Sequence, residues 1–245
     1  MNTFSAKETK SQLIKWIQDY FVKNGTPETK AMIGISGGKD STITAALCVE
    51  ALGKDRVIGV LMPDGEQYDI ATSWEVCKLL GIDAHVINIG QITKNLLQEI
   101  SLSEIKLSDI TTINTPARIR MTILYAVAGS LGGRVANTCN ASEKYIGWST
   151  KNGDDRGDFS PLGNLLFRQV KAIGYELGLP EHLIEKTPID GLQDKTDEEA
   201  FGFSYEQLDD FIISGTSGDC DIDKRIMVLH ENSYHKRNPI PTFEQ

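Results

Sequence analysis

Short apolar runs recur along the first half of this chain, and between them lie stretches whose apolar residues return every three or four positions. "KAMIGIS" (30–36), "RVIGVLMP" (56–63), "DAHVINIG" (83–90) and "RVANTC" (134–139) have the length and apolar content of buried strands. Residues 39–52 read as a helix stopped by Gly53, and "QYDIATSWEVCKLLG" (67–81) as a helix ending at glycine. "TPARIRMTILYAVAGSLGG" (115–133) opens on Thr-Pro and closes on Gly-Gly, the punctuation of a helix with a fixed start and stop. The N-terminal stretch predicts an amphipathic helix with Leu13, Ile14, Ile17 and Phe21 on one face. Strand and helix alternate four times, which predicts an α/β fold: a parallel sheet with helices on both faces.

After residue 140 the alternation stops. "GWSTKNGDDRGDFSPLGN" (147–164) is rich in Gly, Asp and Ser and has no period, but it keeps Trp148, Phe159 and Leu162, so it reads as an ordered, functional loop. Helices are then expected at about 164–178, 204–213 and 221–233, and the acidic stretch 194–199 ("DKTDEE") as a solvated helix start. No repeat, low-complexity tract or domain boundary stands out, so one domain over 1–245 is expected.

The first strand runs into "GISGGKDS" (34–41). This is not the common triphosphate loop G-x-x-x-x-G-K-[ST], because Gly34 and Gly38 enclose one residue too few and Asp40 stands where a hydroxyl is needed. What remains is S-G-G-x-D-S at a strand-to-helix turn. Gly37 and Gly38 let the backbone curl and bare its N–H groups, the helix N-terminus adds positive potential, and Ser36 and Ser41 add hydroxyl donors. That is a cradle for an anion the size of pyrophosphate. Asp40 would repel such an anion unless a cation lies between them, which argues for Mg²⁺.

Composition narrows the partners. The chain has 245 residues, 40% of them hydrophobic, enough for one sizeable α/β core. A net charge of −9 speaks against a long nucleic-acid groove; "HKR" (235–237) is a small basic cluster. Cys48, Cys77, Cys139 and Cys220 form no CxxC pair and read as reduced thiols of a cytoplasmic protein. No signal-peptide core and no membrane-spanning apolar run is present in the sequence.

The S-G-G-x-D-S loop resembles that of the ATP pyrophosphatase family, whose members cleave ATP between the α and β phosphates and pass AMP to an acceptor. "NTCNASEKYIGWSTKNGDDRGDFSPLGNL" narrows the resemblance to ammonia-dependent NAD synthetases: Thr138, Asn140, Ser142, Glu143, Gly147, Thr150, Gly153, Asp154, Asp158, Pro161 and Leu162 fall in the register of that signature. "PARIRM" (116–121), "KTDEEAFGFSYEQLDDFI" and "HKR" resemble further family motifs, so the likeness runs from about residue 10 to 240. It implies a Rossmann-like fold of the adenine nucleotide alpha hydrolase type, and amidation of deamido-NAD by ammonia and ATP through an NAD-adenylate. It also implies roles. Gly34, Ile35, Ser36, Gly37, Gly38, Lys39, Asp40 and Ser41 would cradle the ATP phosphates, with Thr138 on ATP and Val60 to Met62 meeting adenine through backbone groups. Asp40 and Glu143 would ligate Mg²⁺. Arg118, Lys151, Asp158, His235 and Lys236 would bind deamido-NAD, and Asp154 would hold the ammonium and accept its proton. A homodimer using free or separately delivered ammonia is implied as well.

Two positions depart from the family. A usual lysine is Phe167, and a usual Ser or Thr is Ile189 in "PIDGL". Arg168, Lys171 or Lys39 could supply the missing charge. These departures leave room for another adenylating ligase, a changed acceptor, or a nucleotide-binding relative without catalysis.

Overall fold

The computed structural model describes residues 4–66, 70–187 and 196–243. In chain order the elements are α1 (Ala6–Asn24), β1 (Lys30–Gly34), α2 (Lys39–Leu52), β2 (Val57–Leu61), α3 (Ile70–Leu80), β3 (Asp83–Val86), α4 (Gly90–Leu102), α5 (Asp109–Leu131), β4 (Gly133–Val135), α6 (Ala141–Ile146), α7 (Phe167–Glu176), α8 (Glu181–Ile184), α9 (Asp197–Phe201), α10 (Tyr205–Ser214), α11 (Cys220–Asn232) and α12 (Tyr234–Arg237). The four strands are all parallel, in the order β3-β2-β1-β4.

Alternation along the strands feeds two apolar layers. Ala31 and Ile33 of β1, with Val57 and Leu61 of β2, pack under α1, α2, α3 and α7. Met32, Ile58 and Val60 pack on the opposite face against Ile119, Met121, Leu124 and Ala128 of α5. Ile17 and Phe21 of α1 are buried in the first layer, with Leu13 and Ile14 partly buried beside them. A third cluster, built on Phe167, Phe201, Tyr205, Leu208, Phe211 and Ile226, packs the C-terminal helices against one another.

Several boundaries differ from the sequence reading. The helix expected from Thr115 begins at Asp109, capped by Ser108, whose hydroxyl accepts from the Thr111 N–H, and Pro116 lies inside it. Its first turns are mostly polar, and the Thr-Pro pair looked like the start. Helix α4 was not anticipated; it follows directly on the apolar run 83–90, and its own Ile92, Leu96 and Leu102 are exposed. The acidic stretch does start a helix, with Thr196 as N-cap, but Asp197 is buried and accepts from the Tyr205 hydroxyl at 2.9 Å rather than facing water. Residues 194–195 and Ile189 lie outside the described residues. The loop 147–164 is ordered: Phe159 bridges to Ala136 beside β4, and Phe159 and Leu162 are buried in the first layer.

Helix α7 has Leu166 at its N-cap; Gln169 Oε1 accepts from the Leu166 N–H at 2.9 Å, and the next two N–H groups borrow acceptors from elsewhere. The Phe167 N–H donates to Ser142 Oγ at 2.9 Å, and the Arg168 N–H to Asp209 Oδ2 at 2.9 Å. Ser142 Oγ donates in turn to Asp209 Oδ1. A fully buried carboxylate thus satisfies the start of one helix and fixes the first turn of α6. Replacing Asp209 by Ala strands these donors, so urea denaturation is expected to show a loss of about 2–3 kcal/mol.

Candidate active site

Strand β1 is flanked by β2 on one side and β4 on the other: the chain runs outward from β1 through β2 to β3 and then crosses back to the far side of β1 for β4. A crevice opens past the carboxyl ends of such a pair. The glycine loop after β1 and the segment 136–140 after β4 meet there.

The loop is held open by its own hydroxyls. Ser36 Oγ accepts from the Gly38 N–H and lies 3.2 Å from Ser41 Oγ, while Ser41 and Thr42 donate to the Gly38 carbonyl. Gly37 has φ +78°, and a Cβ there would stand 3.1 Å from the Ser73 nitrogen and 3.2 Å from its Oγ. Both the backbone conformation and the approach of α3 therefore demand glycine. The N-cap of α2 is Gly38, with no side-chain cap, which leaves the helix's first N–H groups for a ligand. Gly34 ends β1, and the Ile35 side chain is core while its N–H donates to the Val60 carbonyl.

Asp40 and Glu143 come from opposite sides of the crevice and are bridged by buried Asn140. Its Nδ2 donates to Asp40 Oδ1 at 3.2 Å and its backbone N–H to Glu143 Oε2 at 3.1 Å. Asn140 is also the N-cap of α6 and forms a capping box with Glu143. Desolvation, then the Asp40 charge, pushes the Glu143 carboxyl well up; Lys39 pulls it back. Two mutually repelling carboxylates at an anion loop have the oxygen donors and the charge to hold Mg²⁺, with water and phosphate filling the remaining positions. No group of three or more His, Cys, Asp or Glu side chains gathers as a metal cage among the described residues.

The departure at Phe167 takes a specific form. Phe167 stacks on Tyr205 with ring centroids 4.1 Å apart, and Lys39 Nζ lies 4.1 Å from the Phe167 centroid. Lys39 is buried and pairs with Asp40 Oδ2 at 2.6 Å. Arg168 turns to Asp209 and Asp210, and Lys171 to Glu185. Of the three candidate cations, Lys39 is the one joined to the carboxylate pair.

On the other side of the crevice, hydrogen bonds link most of the acceptor residues. Arg118 Nε donates to the Lys151 carbonyl at 3.2 Å, Lys151 Nζ to the His235 carbonyl at 2.8 Å, and Lys236 Nζ to the Gly147 and Ser149 carbonyls at 2.9 Å each. Asp154 accepts from the Thr150 N–H at 2.9 Å. Desolvation raises its carboxyl, and the Thr150 bond and Lys236 oppose the rise. Asp158 is engaged elsewhere: it accepts from the Val135 N–H and the Tyr125 hydroxyl, and it lines a polar cavity of about 610 Å³ with Tyr20, Lys23, Thr29 and Arg134. Thr138 lies on the segment that leaves β4. The carbonyls of Val60 and Leu61 accept from Ile35 and Ile87, and that of Met62 from Arg120 Nε at 3.0 Å. Burial pulls the Arg120 guanidinium down, and the charges of Asp64 and Asp154 oppose that shift. Arg120 was in view as the second arginine of "PARIRM" but carried no role in the sequence reading.

The fold and crevice define a parallel α/β nucleotide-binding protein with an anion loop at its switch point. The sequence pattern of the NAD synthase family matches residues 9–239, and the chain belongs to that family. It is 40% identical over 195 residues to the NH(3)-dependent NAD(+) synthetase of Methanocaldococcus jannaschii, covering 77% of this chain and 75% of that one. The corresponding synthetase of Pyrococcus horikoshii is 38% identical over 229 residues, covering 87% and 88%. The solved structure of NMN synthetase from Francisella tularensis superposes with a TM-score of 0.91 at 32% identity, over 99% of this chain and all of that one.

Two substitutions test the geometry. Gly37→Ala forces a side chain into the left-handed region against Ser73, and pyrophosphate release should fall at least about tenfold, since strain of this kind costs about 1–3 kcal/mol. Glu143→Gln keeps the capping box but loses the charge. Because the folded protein holds the Glu143 proton to higher pH than the unfolded chain does, this group's stability is complete below the ordinary carboxylate pKa. It is lost as pH rises through the raised value. Without metal, the variant should therefore melt progressively higher than wild type as pH increases from 5 to 8, while pyrophosphate release drops by about a hundredfold or more.

Proposed function

We propose that this chain amidates the nicotinate carboxylate of deamido-NAD with ammonia, converting ATP to AMP and pyrophosphate and yielding NAD. The observation that carries this reading is the bridge from Asn140 to Asp40, 100 residues apart, at the mouth of the glycine loop. It couples an anion cradle to a carboxylate pair of the kind a pyrophosphate leaving group requires. A carboxylate expels oxide poorly. Adenylation replaces that leaving group with AMP, and ammonia then attacks the acyl carbon.

Each side has its task. The N–H groups at Gly37 and the start of α2 receive the phosphates, and their fixed orientation stabilises charge without reorganisation. Asp40 and Glu143 hold Mg²⁺, which when bound neutralises charge on the departing pyrophosphate. Arg118, Lys151, His235 and Lys236 form the acceptor's anion pocket, whereas Asp158, bonded to β4 and Tyr125, lies apart from them. Asp154 holds ammonium and takes its proton; the raised carboxyl makes it a better base than a free aspartate. Thr138 and the β2 end at Met62 border the ATP side.

A second acceptor, nicotinate mononucleotide, is favoured by the 0.91 superposition on an NMN synthetase over the full length of both chains. Both acceptors present the same carboxylate. Mass spectrometry after incubation with ATP, Mg²⁺, ammonium and each acceptor decides between them. We expect NAD from deamido-NAD with the higher kcat/KM; a mononucleotide kcat/KM that exceeds it overturns the deamido-NAD reading. Asp154→Asn should lower turnover by about 10²–10⁴-fold, the range of a lost general base, and leave ATP binding intact.

The protein works as a homodimer in the cytoplasm, on this reading. Four cysteines are free, and no helix among the described residues is long and apolar enough to cross a membrane. Val86, Ile92, Ile123, Val127 and Leu131 line a shallow groove between β3, α4 and α5. Such a patch is the natural dimer contact. Light scattering should give twice the chain mass for wild type and the chain mass for an Ile92→Asp, Leu131→Asp variant.

A further inference from the structure

Lys39 occupies the x position of the S-G-G-x-D-S loop, yet its side chain does not point at solvent. It is 3% exposed, lies across the stacked Phe167 and Tyr205 rings at 4.1 and 5.6 Å from their centroids, and delivers its ammonium to Asp40 at 2.6 Å. The same charge opposes the rise of the Glu143 carboxyl. An ammonium cannot leave this place easily. The two rings, from the starts of α7 and α10, hold it by cation–π attraction. Its position is therefore part of the fold and not a passing surface contact.

We propose that Lys39 is a resident counter-ion of the Asp40–Glu143 pair, which keeps a divalent cation from binding there in the nucleotide-free protein. The inference rests on the reading of Asp40 and Glu143 as metal ligands and adds an order to their use. An ammonium already bonded to Asp40 satisfies one of the oxygens a metal needs and repels the metal's charge at short range. Phosphate oxygens offset that repulsion, so metal and phosphate enter together. The loop lysine thus makes the site selective for a metal–phosphate complex over free metal.

Mn²⁺ serves as the probe, with its binding read by electron paramagnetic resonance on nucleotide-free protein at constant pH. Lys39→Met preserves volume and packs well on aromatic rings; it should bind Mn²⁺ at least about tenfold more tightly than wild type, the scale of one removed charge at contact range. Lys39→Arg keeps the charge and should stay near wild type. Lys39→Met with Asp40→Asn should lose the gain. Equal affinity of wild type and Lys39→Met overturns the proposal. In that case loss of pyrophosphate release in Asp40→Asn still upholds the metal reading, so the two ideas fail separately. A gain that persists without Asp40 overturns both. Wild type supplies a check that needs no variant. The Lys39 ε-methylene resonance, moved upfield by the Phe167 ring, should stay in place when Mg²⁺ is added alone; its return toward the ordinary position under Mg²⁺ alone overturns the proposal.

Discussion

The hydrogen bonds of Asn140 fix the geometry on which the site depends. The residue is fully buried, and its polar groups are used. Its backbone N–H goes to Glu143 Oε2, its carbonyl accepts from Lys144, and its Oδ1 accepts from the Glu143 N–H at 3.0 Å. That last bond settles the orientation of the amide: with oxygen turned to the helix, nitrogen must face Asp40. A donor there draws the Asp40 carboxylate toward α6, and the capping box holds Glu143 at the same end. Two repelling carboxylates stay close because one neutral amide serves both. The arrangement exists because β1 and β4 are parallel neighbours, so the loops that follow them open at one end of the sheet. Helix α6 is anchored from behind by Ser142 and Asp209, which ties the carboxylate pair to the C-terminal helices as well.

How much of this was legible in sequence follows from which signals are local. The glycine loop was readable because strand, turn and helix start lie within twelve residues and each needs its own residue types. Strands β1 and β2 were readable because both sheet faces are covered there, which makes them apolar throughout their centres; β3, at the edge and largely exposed, was readable from the apolar run that continues beyond it. Helix α6 was missed although its signals were present: Asn140 with Glu143 three residues on is a capping box, and Gly147 closes the helix in the left-handed region. At six residues it is too short to show a period. Asp197 was read as solvated because no local signal reveals Tyr205, whose hydroxyl it accepts. The site residues were placed by resemblance, and of those on the acceptor side Asp158 is bonded to β4 and Tyr125 while the others form a linked set. Arg120 carried no role beforehand because its partners, Met62, Asp64 and Asp154, are distant in sequence.

The chain carries a net charge of −9, yet cations are interleaved with acids throughout the crevice. Lys39 lies against Asp40, Arg120 between Asp64 and Asp154, and Lys236 near Asp154 and Asp155. Burial pulls Lys236 down while the two aspartates pull it up, and it pushes Asp154 the other way. Opposite charges desolvated together are costly unless hydrogen-bonded, and here backbone groups supply many of the bonds. The overall sign of the chain thus says little about the site, because the field an anion meets is set within a few ångströms.

The acceptor-side cations also have structural duties in this state. Lys151 and Lys236 donate to carbonyls of His235, Gly147 and Ser149, and so bind α12 to the loop that carries Asp154. A phosphate or carboxylate arriving in the pocket competes for the same ammonium groups, and it offers a charged acceptor where the protein offers neutral carbonyls. Charge-assisted bonds are the stronger ones. On the proposed reading, an acceptor that takes over these donors competes with the bonds that tie α12 to the loop, so part of its binding energy goes to replacing them.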